Sequence, residues 1–316
     1  VRYYEKKKKN FFYRIYGLNV KSNIKLPELI EIGGENIIED VTVFYGIMPK
    51  EILKRVKEGK ILEFLRDKAW FNIKKVAAYY ISNGNNIIIM PYEEATEQEI
   101  KTYLLGSAFG ALLIQRNIVV IHGGTIIIKD KAITLTGDSG AGKSTLTSAF
   151  RMSGFSFLAD DVSAVVLNNF GIPFISPAYP QQKLCRDAMI KLGYDTNNFI
   201  RIDEGRDKFV IPVNGGFLQE SKPLVAVCEI AVGNVDSVQI EEIKGNEKLK
   251  VLLKNIYRIE FIKISGMYPE YFKKCVNVAQ NILLFKIIRP KDKFSVNEQM
   301  EIIEKIINER IGDVFC

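Results

Sequence analysis

The chain has 316 residues, 47% apolar and 26% charged. That length and balance suit one large or two smaller domains around a sizeable core, and they exclude a disordered chain. The formal charge of +7 comes from lysines spread along the chain, which fits a solvated surface. No apolar run reaches the roughly 18 residues of a membrane span.

The opening Arg2-Tyr3-Tyr4-Glu5-Lys6-Lys7-Lys8-Lys9 is basic but has no apolar stretch behind it, unlike a signal peptide. Without aromatic-interleaved basic motifs it reads as a solvated leader, and neither nucleic acid nor a membrane is an expected partner. Residues 11–95 then read as strands and turns. Phe11 to Tyr16 and Val41 to Tyr45 are aromatic and β-branched. Ala77 to Ile81 and Ile87 to Met90 flank Asn83-Gly84, a strong hairpin signal.

Thr96, with Glu99 in a capping box, predicts a helix start. Ile100, Tyr103, Leu104, Ser107, Ala108, Ala111 and Leu112 line one face at helical spacing. Three β runs follow: Ile118 to Ile121, Thr125 to Ile128, and Ala132 to Thr136, with Lys129-Asp130-Lys131 as the turn between the last two. A helix is expected from about Lys143 to Ser153, stopping at Gly154, then a strand from Phe155 to Ala159. Beyond residue 165 the pattern is mixed, with turns near Pro173, Pro177, Pro180 and Gly215-Gly216. A terminal helix is expected with Ser295 as cap, Glu298 at the capping-box position, and Ile302, Ile303, Ile306 and Ile307 on its buried face. These elements predict an α/β chain: a β-rich domain over 1–95 and a second domain over 96–316. Cys185, Cys228, Cys275 and Cys316 lie too far apart for metal or redox spacing, so reduced thiols and a cytoplasmic location are expected.

Gly137-Asp138-Ser139-Gly140-Ala141-Gly142-Lys143-Ser144-Thr145 fits the phosphate-loop pattern G-x-x-x-x-G-K-[ST], with a strand before it and a helix after. Its glycines permit backbone angles that side chains forbid. Successive N–H groups can then form an anion nest at a helix N-terminus. Lys143 is expected at the β- and γ-phosphates of ATP, and Ser144 at Mg²⁺. Asp160 and Asp161 end an apolar strand one helix later, on the edge where α/β sheets bind ligands. One carboxylate can serve a metal while the other takes a proton from an attacking hydroxyl; which does which is open from the residues. His122, the sole histidine, stands in Ile121-His122-Gly123-Gly124. By composition it is a core or turn residue more often than a catalytic one.

Ile121-His122-Gly123, Thr136 to Ser144 and Leu158-Ala159-Asp160-Asp161, in that order and spacing, resemble the HPr kinase/phosphorylase family. The resemblance implies a core related in fold to phosphoenolpyruvate carboxykinase. It also implies that His122 lies near a catalytic Asp160 that handles the proton of a target serine, with Asp161 and Ser144 near Mg²⁺. The glycine-rich segment that follows the aspartates in true HPr kinases, with its Mg²⁺-binding glutamate, is replaced by Pro177 to Ala188. HPr as acceptor, and the reverse phosphorylase reaction, therefore do not carry over.

The replacement resembles a branch that includes lasso-peptide kinases. The shared features are Tyr16-Gly17-Leu18 with Leu26-Pro27-Glu28-Leu29, a helix like Leu104-Leu105-Gly106 to Gln115-Arg116, Tyr179-Pro180-Gln181 with Leu184, Asp207-Lys208-Phe209, and Tyr257-Arg258. The resemblance implies a serine kinase acting on the C-terminal serine of a ribosomal precursor peptide. HPr kinases being hexamers, it also implies a homo-oligomer. A kinase of a small alcohol metabolite and a non-catalytic ATP-binding module are the alternative readings. Lys183, Arg186, Lys208 and Arg258 are candidates for contacting phosphate or a substrate carboxylate, against the plainer reading of solvated surface cations.

Overall fold

Aromatic and β-branched runs broken by turn residues pair into sheets early in the chain; the computed structural model describes residues 9–33, 37–203 and 207–310. Lys6 to Lys8 and Cys316 lie outside the described residues. The chain divides into two compact units, 1–118 with 258–268, and 119–257 with 269–316.

In the first unit, β1 (Phe11–Ile15), β2 (Leu18–Ser22), β3 (Ile30–Glu31), β4 (Val41–Tyr45), β5 (Leu62–Phe64), β6 (Lys68–Ile73), β7 (Ala77–Ser82) and β8 (Asn86–Pro91) form one sheet, ordered β3-β1-β2-β4-β8-β7-β6-β5. The β7–β8 turn takes the two left-handed residues the sequence offers, Asn83 (φ 53°) and Gly84 (φ 63°). Helix α1 (Lys50–Lys57) packs Ile52 with Met48, Trp70 and Ala78.

Thr96 caps α2 (Glu97–Tyr103) in the expected box with Glu99. A π-helical stretch, Leu104–Ala108, then leads into α3 (Phe109–Gln115). Residues 104–114 are all buried, so this segment is covered all round rather than on one face. It belongs to the first unit, whereas the sequence pattern places the boundary at 95/96. The cause is long-range bonding: Tyr79 Oη donates to the Ile100 carbonyl at 2.9 Å, and Gln115 Oε1 accepts from Gly84 N at 3.0 Å. Helix α7 (Ile259–Ser265) returns to this unit, where Phe261 stacks on Phe64.

The second unit contains β9 (Val119–Ile128), β10 (Lys131–Gly137), α4 (Lys143–Met152), β11 (Ser156–Ala159), β12 (Val162–Leu167), β13 (Pro173–Ser176), β14 (Gln181–Cys185), α5 (Arg186–Lys191), β15 (Ile200–Asp203), β16 (Lys208–Pro212), β17 (Lys222–Gly233), β18 (Gln239–Glu242), α6 (Asn246–Lys254), α8 (Pro269–Gln280), β19 (Leu283–Pro290) and α9 (Val296–Arg310). The large sheet runs β10-β9-β12-β13-β17-β19-β18; β11 adds to β9, and β10 also pairs with β17. The β10–β17 and β17–β19 pairs are parallel. A smaller sheet has the order β14-β16-β15. Leu146 and Phe150 of α4 and Ile303 and Ile307 of α9 share one core with Ile133, Leu135, Cys228 and Phe285 of the strands.

Two expectations are corrected here. The β runs 118–121 and 125–128 are one continuous strand, β9, with no turn at His122-Gly123-Gly124. Its first half pairs with β12 (His122 opposite Val162), and its second half with β10 and β11 (Gly123 opposite Thr136, Thr125 opposite Ala159). The glycines serve close approach: a Cβ on Gly123 would lie 2.2 Å from the Leu135 carbonyl oxygen, and one on Gly124 2.4 Å from Thr147 Oγ1. In the terminal helix, Glu298 accepts from Val238 N at 2.8 Å and closes no capping box; Ile303 and Ile307 are buried, while Ile302 and Ile306 pack at the margin. No helix among the described residues is long and apolar enough to cross a membrane.

Candidate functional site

The switch of partners along β9 gathers the site. It sets His122 beside the start of β12, the end of β10 beside Gly123, and the β11–β12 junction, which carries Asp160 and Asp161, against both. Gly123 N donates to the Asp161 carbonyl at 3.2 Å. Gly124 faces Thr147 of α4 and the Asp160 carbonyl, so a side chain there would force the aspartates and the helix apart.

The loop from Gly137 to Thr145 joins β10 to α4. Gly137 (φ 135°), Gly140 (φ 81°) and Gly142 (φ 107°) all take angles that L residues rarely adopt. Gly137 also packs so near β17 that a Cβ would lie 2.2 Å from the Ile230 carbonyl oxygen. Lys143 Nζ folds back over the loop and donates to the carbonyls of Gly137 (2.8 Å) and Asp138 (3.1 Å). From β19, Arg289 donates to the carbonyls of Ala141 (Nε, 2.7 Å) and Gly140 (Nη2, 3.3 Å). Cationic side chains thus claim four loop carbonyls. The N–H groups of Gly140, Gly142, Lys143 and Ser144 have no protein acceptor among the described residues. Such a run of uncommitted donors at a helix N-terminus can receive an anion. Burial pushes the Lys143 ammonium below its ordinary range, against the opposing pull of Asp161.

The two aspartates sit in different fields. Asp160 Oδ2 accepts from Lys183 N at 2.9 Å, while Oδ1 is buried with no hydrogen-bond partner among the described residues. Burial, then the charge of Asp161, pushes its carboxyl up to about 6. Burial acts upward on Asp161 too, but the hydrogen bond and charge of His122, with Lys183 and Lys208, outweigh it and hold that carboxyl well below the usual range. Two neighbouring carboxyls with pKa values driven apart can divide between them the parts of a proton acceptor and a standing anion. His122 Nε2 lies 3.2 Å from Asp161 Oδ1, so the histidine bonds to the second aspartate and not to Asp160. Its ring meets Tyr257 edge-on at 5.5 Å, and its backbone N–H donates to the Asn255 carbonyl at 2.8 Å.

Several contributors escape a reading of the sequence. Glu229 on β17 lies opposite Thr136 and is buried. Its Oε1 accepts from Lys254 Nζ (3.1 Å) and Asn255 Nδ2 (3.0 Å), and Lys254 also reaches Asp138 Oδ2 at 3.3 Å. The end of α6 is thereby tied to the loop and, through Asn255, to His122. Gln182, fully buried, donates to the Ser144 carbonyl at 3.1 Å and helps hold the Asp160 carboxyl down. Among the sequence-chosen cations, Lys183 and Lys208 reach the aspartates through their charge. Arg186 is committed elsewhere, to Asp207 (2.6 Å) and over the Phe209 ring. Arg258 belongs to the other unit. Cys228 and Cys275 are buried free thiols, pushed up to about 12 by burial.

Comparison with protein-family models and with curated proteins finds no match. Among solved structures, the chain is similar to the Hpr(Ser) kinase/phosphatase from Coxiella burnetii, with 15% identity over 61% of this chain and 97% of that one, at a TM-score of 0.31. A likeness of that degree carries no functional weight.

Proposed function

We propose that this chain is an ATP-dependent phosphotransferase that moves the γ-phosphate of ATP onto an alcohol. The observation that carries the reading is the juxtaposition of uncommitted loop N–H groups with a buried carboxyl, Asp160, whose Oδ1 lacks a partner. A polyphosphate would take the loop donors, and Lys143 would leave the carbonyls of Gly137 and Asp138 for the β- and γ-phosphates. The acceptor hydroxyl would supply the missing donor to Asp160 Oδ1. Its oxygen attacks the γ-phosphorus, the bond from phosphorus to the β-bridging oxygen breaks, ADP leaves, and the hydroxyl proton passes to Asp160. Raised to about 6, that carboxyl is mostly ionised at neutral pH yet basic enough to take a proton.

A Mg²⁺ ion fits the donor set. The ionised Asp161 and the Ser144 hydroxyl are hard oxygen ligands, and a cation held partly by phosphates needs only one or two of these. When bound, it neutralises charge on the β- and γ-phosphates. Asp161, held by His122, would keep its place without competing for the proton.

The acceptor we infer is a serine hydroxyl of a peptide, namely the C-terminal serine of a lasso-type precursor; the motif resemblance around Tyr179 to Leu184 supports this. The test incubates the full chain with MgATP and a panel of serine-ended peptides and small alcohols, followed by mass spectrometry. Phosphate should appear on the peptides. Asp160→Asn should abolish transfer while nucleotide binding survives, and Lys143→Ala should weaken both. Tight nucleotide binding without transfer to any hydroxyl would overturn the kinase reading.

A further inference from the structure

Strand β19 is parallel to β17, and β17 is parallel to β10. The C-terminal ends of all three therefore lie at one edge of the sheet, the edge from which the loop departs. Ile287 of β19 is buried in the core that holds Leu146 and Phe150 of α4. Arg289, two residues later, lies on the same face and emerges beside the first turn of that helix, where a Cβ on Gly142 would lie 3.5 Å from its Nε. A cation beside the positive end of a helix is unfavourable by itself. Arg289 has no carboxylate within ion-pair distance among the described residues; its partners are the carbonyls of Ala141 (Nε, 2.7 Å), Gly140 (Nη2, 3.3 Å) and Pro290 (Nη1, 3.1 Å).

Those bonds decide which way the loop's N–H groups face. In a trans peptide the C=O and the following N–H point to opposite sides. With the Ala141 carbonyl turned to Arg289, the Gly142 N–H is turned away from it, and that N–H is one of the donors without a protein acceptor among the described residues. With the Gly140 carbonyl held likewise, the Ala141 N–H points back to the Asp138 carbonyl, 3.1 Å away, and closes the turn. Both peptide planes adjoin glycines in the left-handed region, Gly140 (φ 81°) and Gly142 (φ 107°), whose backbone rotates at little steric cost. The glycines permit this arrangement and equally permit others. A guanidinium, planar and always charged, can hold two successive carbonyls at once and so select one of them.

On the phosphotransferase reading above, we propose that Arg289 is a positioning residue for the nucleotide: from β19 it locks the peptide planes between Gly140 and Gly142, so that the empty loop already has the shape that receives a polyphosphate. It stays on those carbonyls when Lys143 leaves its own for the phosphates. Arg289 touches the loop and not the reacting atoms, so it sets nucleotide affinity and leaves the chemical step alone. A loop in the receiving shape only about one-tenth of the time binds about tenfold more weakly.

The test compares wild type, Arg289→Met and Arg289→Lys as full chains. Calorimetry gives the affinity for a non-hydrolysable ATP analogue with Mg²⁺, and transfer to a serine-ended peptide gives KM and kcat for MgATP. In Arg289→Met the dissociation constant and KM should both rise about tenfold, while kcat at saturating MgATP stays within about twofold. Arg289→Lys keeps the charge without the fork and should recover only part of the affinity. Unchanged affinity in Arg289→Met would overturn the proposal. Full affinity in Arg289→Lys would overturn it too, by making charge alone sufficient, as would a kcat that falls as far as KM rises, by placing the guanidinium on the γ-phosphate. Thermal unfolding reports whether each variant keeps its fold; should Arg289→Met misfold, Arg289→Lys decides, with weakened binding expected. Wild type that binds the analogue but phosphorylates nothing removes the kinase reading and leaves the binding comparison standing. Equal affinity in all three chains removes the role of Arg289 and leaves the kinase reading standing, and wild type that does not bind the analogue removes both.

Discussion

Replacing Asp160 by Asn should remove activity and make the fold less sensitive to pH. Asp160 is raised from 3.8 to about 6 in the folded chain, so the folded state binds its proton more tightly than the unfolded state. The sign follows: the wild type loses stability as pH rises from about 4 to about 6, and the loss is complete above about 7. At about 1.4 kcal/mol for each tenfold change in proton affinity, the gap corresponds to about 3 kcal/mol. Asn keeps an oxygen to accept from Lys183 N but puts an NH₂ where Oδ1 has no partner. That adds a cost of about 1–2 kcal/mol which does not vary with pH. The pH-dependent part is therefore the test. Between pH 4 and pH 8 the variant should gain about 2–3 kcal/mol on wild type, or about 4–10 °C in Tm for a unit of this size. Unfolding should be followed by circular dichroism, because the single tryptophan, Trp70, lies in the other unit. A stability difference that stays flat from pH 4 to pH 8, or one of opposite slope, would refute the burial and charge repulsion assigned to Asp160.

The same carboxyl sets the pH profile: kcat/KM for transfer should rise with pH through about 6 and level off above it, since the base must be ionised; a profile flat from pH 5 to 8 would remove Asp160 as base. Gly124→Ala places a methyl 2.4 Å from Thr147 Oγ1 and 3.1 Å from the Asp160 carbonyl, and should cost about 1–3 kcal/mol in denaturant unfolding with a larger loss of activity than of nucleotide binding. Glu229→Ala leaves Asn255 Nδ2 and Lys254 without their shared acceptor; unfolding should cost about 1–3 kcal/mol, and an unchanged midpoint would show that the network does not brace the loop.

Legibility in the sequence followed distance along the chain. The Asn83-Gly84 turn, the Thr96–Glu99 box and the Gly137–Thr145 loop are local devices, and spacing alone identifies them. His122, Asp160 and Asp161 stand out as separate motifs; that His122 bonds to Asp161 depends on the register of β9 with β12. His122-Gly123-Gly124 reads as a turn because glycine pairs usually mark one, whereas here they let a strand touch a helix and a backbone. Arg289 grips Ala141 from 148 residues away, and no local pattern announces such a contact. Glu229 leaves a trace, as the one charge inside the apolar run Leu224 to Ala231, and a buried lone carboxylate in a strand is a fair signal for a partner. The helix of 97–115 joins the first unit through bonds to Gly84 and Tyr79, which a boundary drawn from composition could not register.

The decisive measurement is a crystal structure of the chain with Mg²⁺ and a non-hydrolysable ATP analogue. In that structure Lys143 Nζ should have left the carbonyls of Gly137 and Asp138 for the β- and γ-phosphates. The N–H groups of Gly140, Gly142, Lys143 and Ser144 should face phosphate oxygens, and Asp160 should look onto the γ-phosphorus with room for a hydroxyl between. Lys143 still bound to its own loop with the nucleotide elsewhere, or a γ-phosphate turned from Asp160, would contradict the phosphotransferase reading.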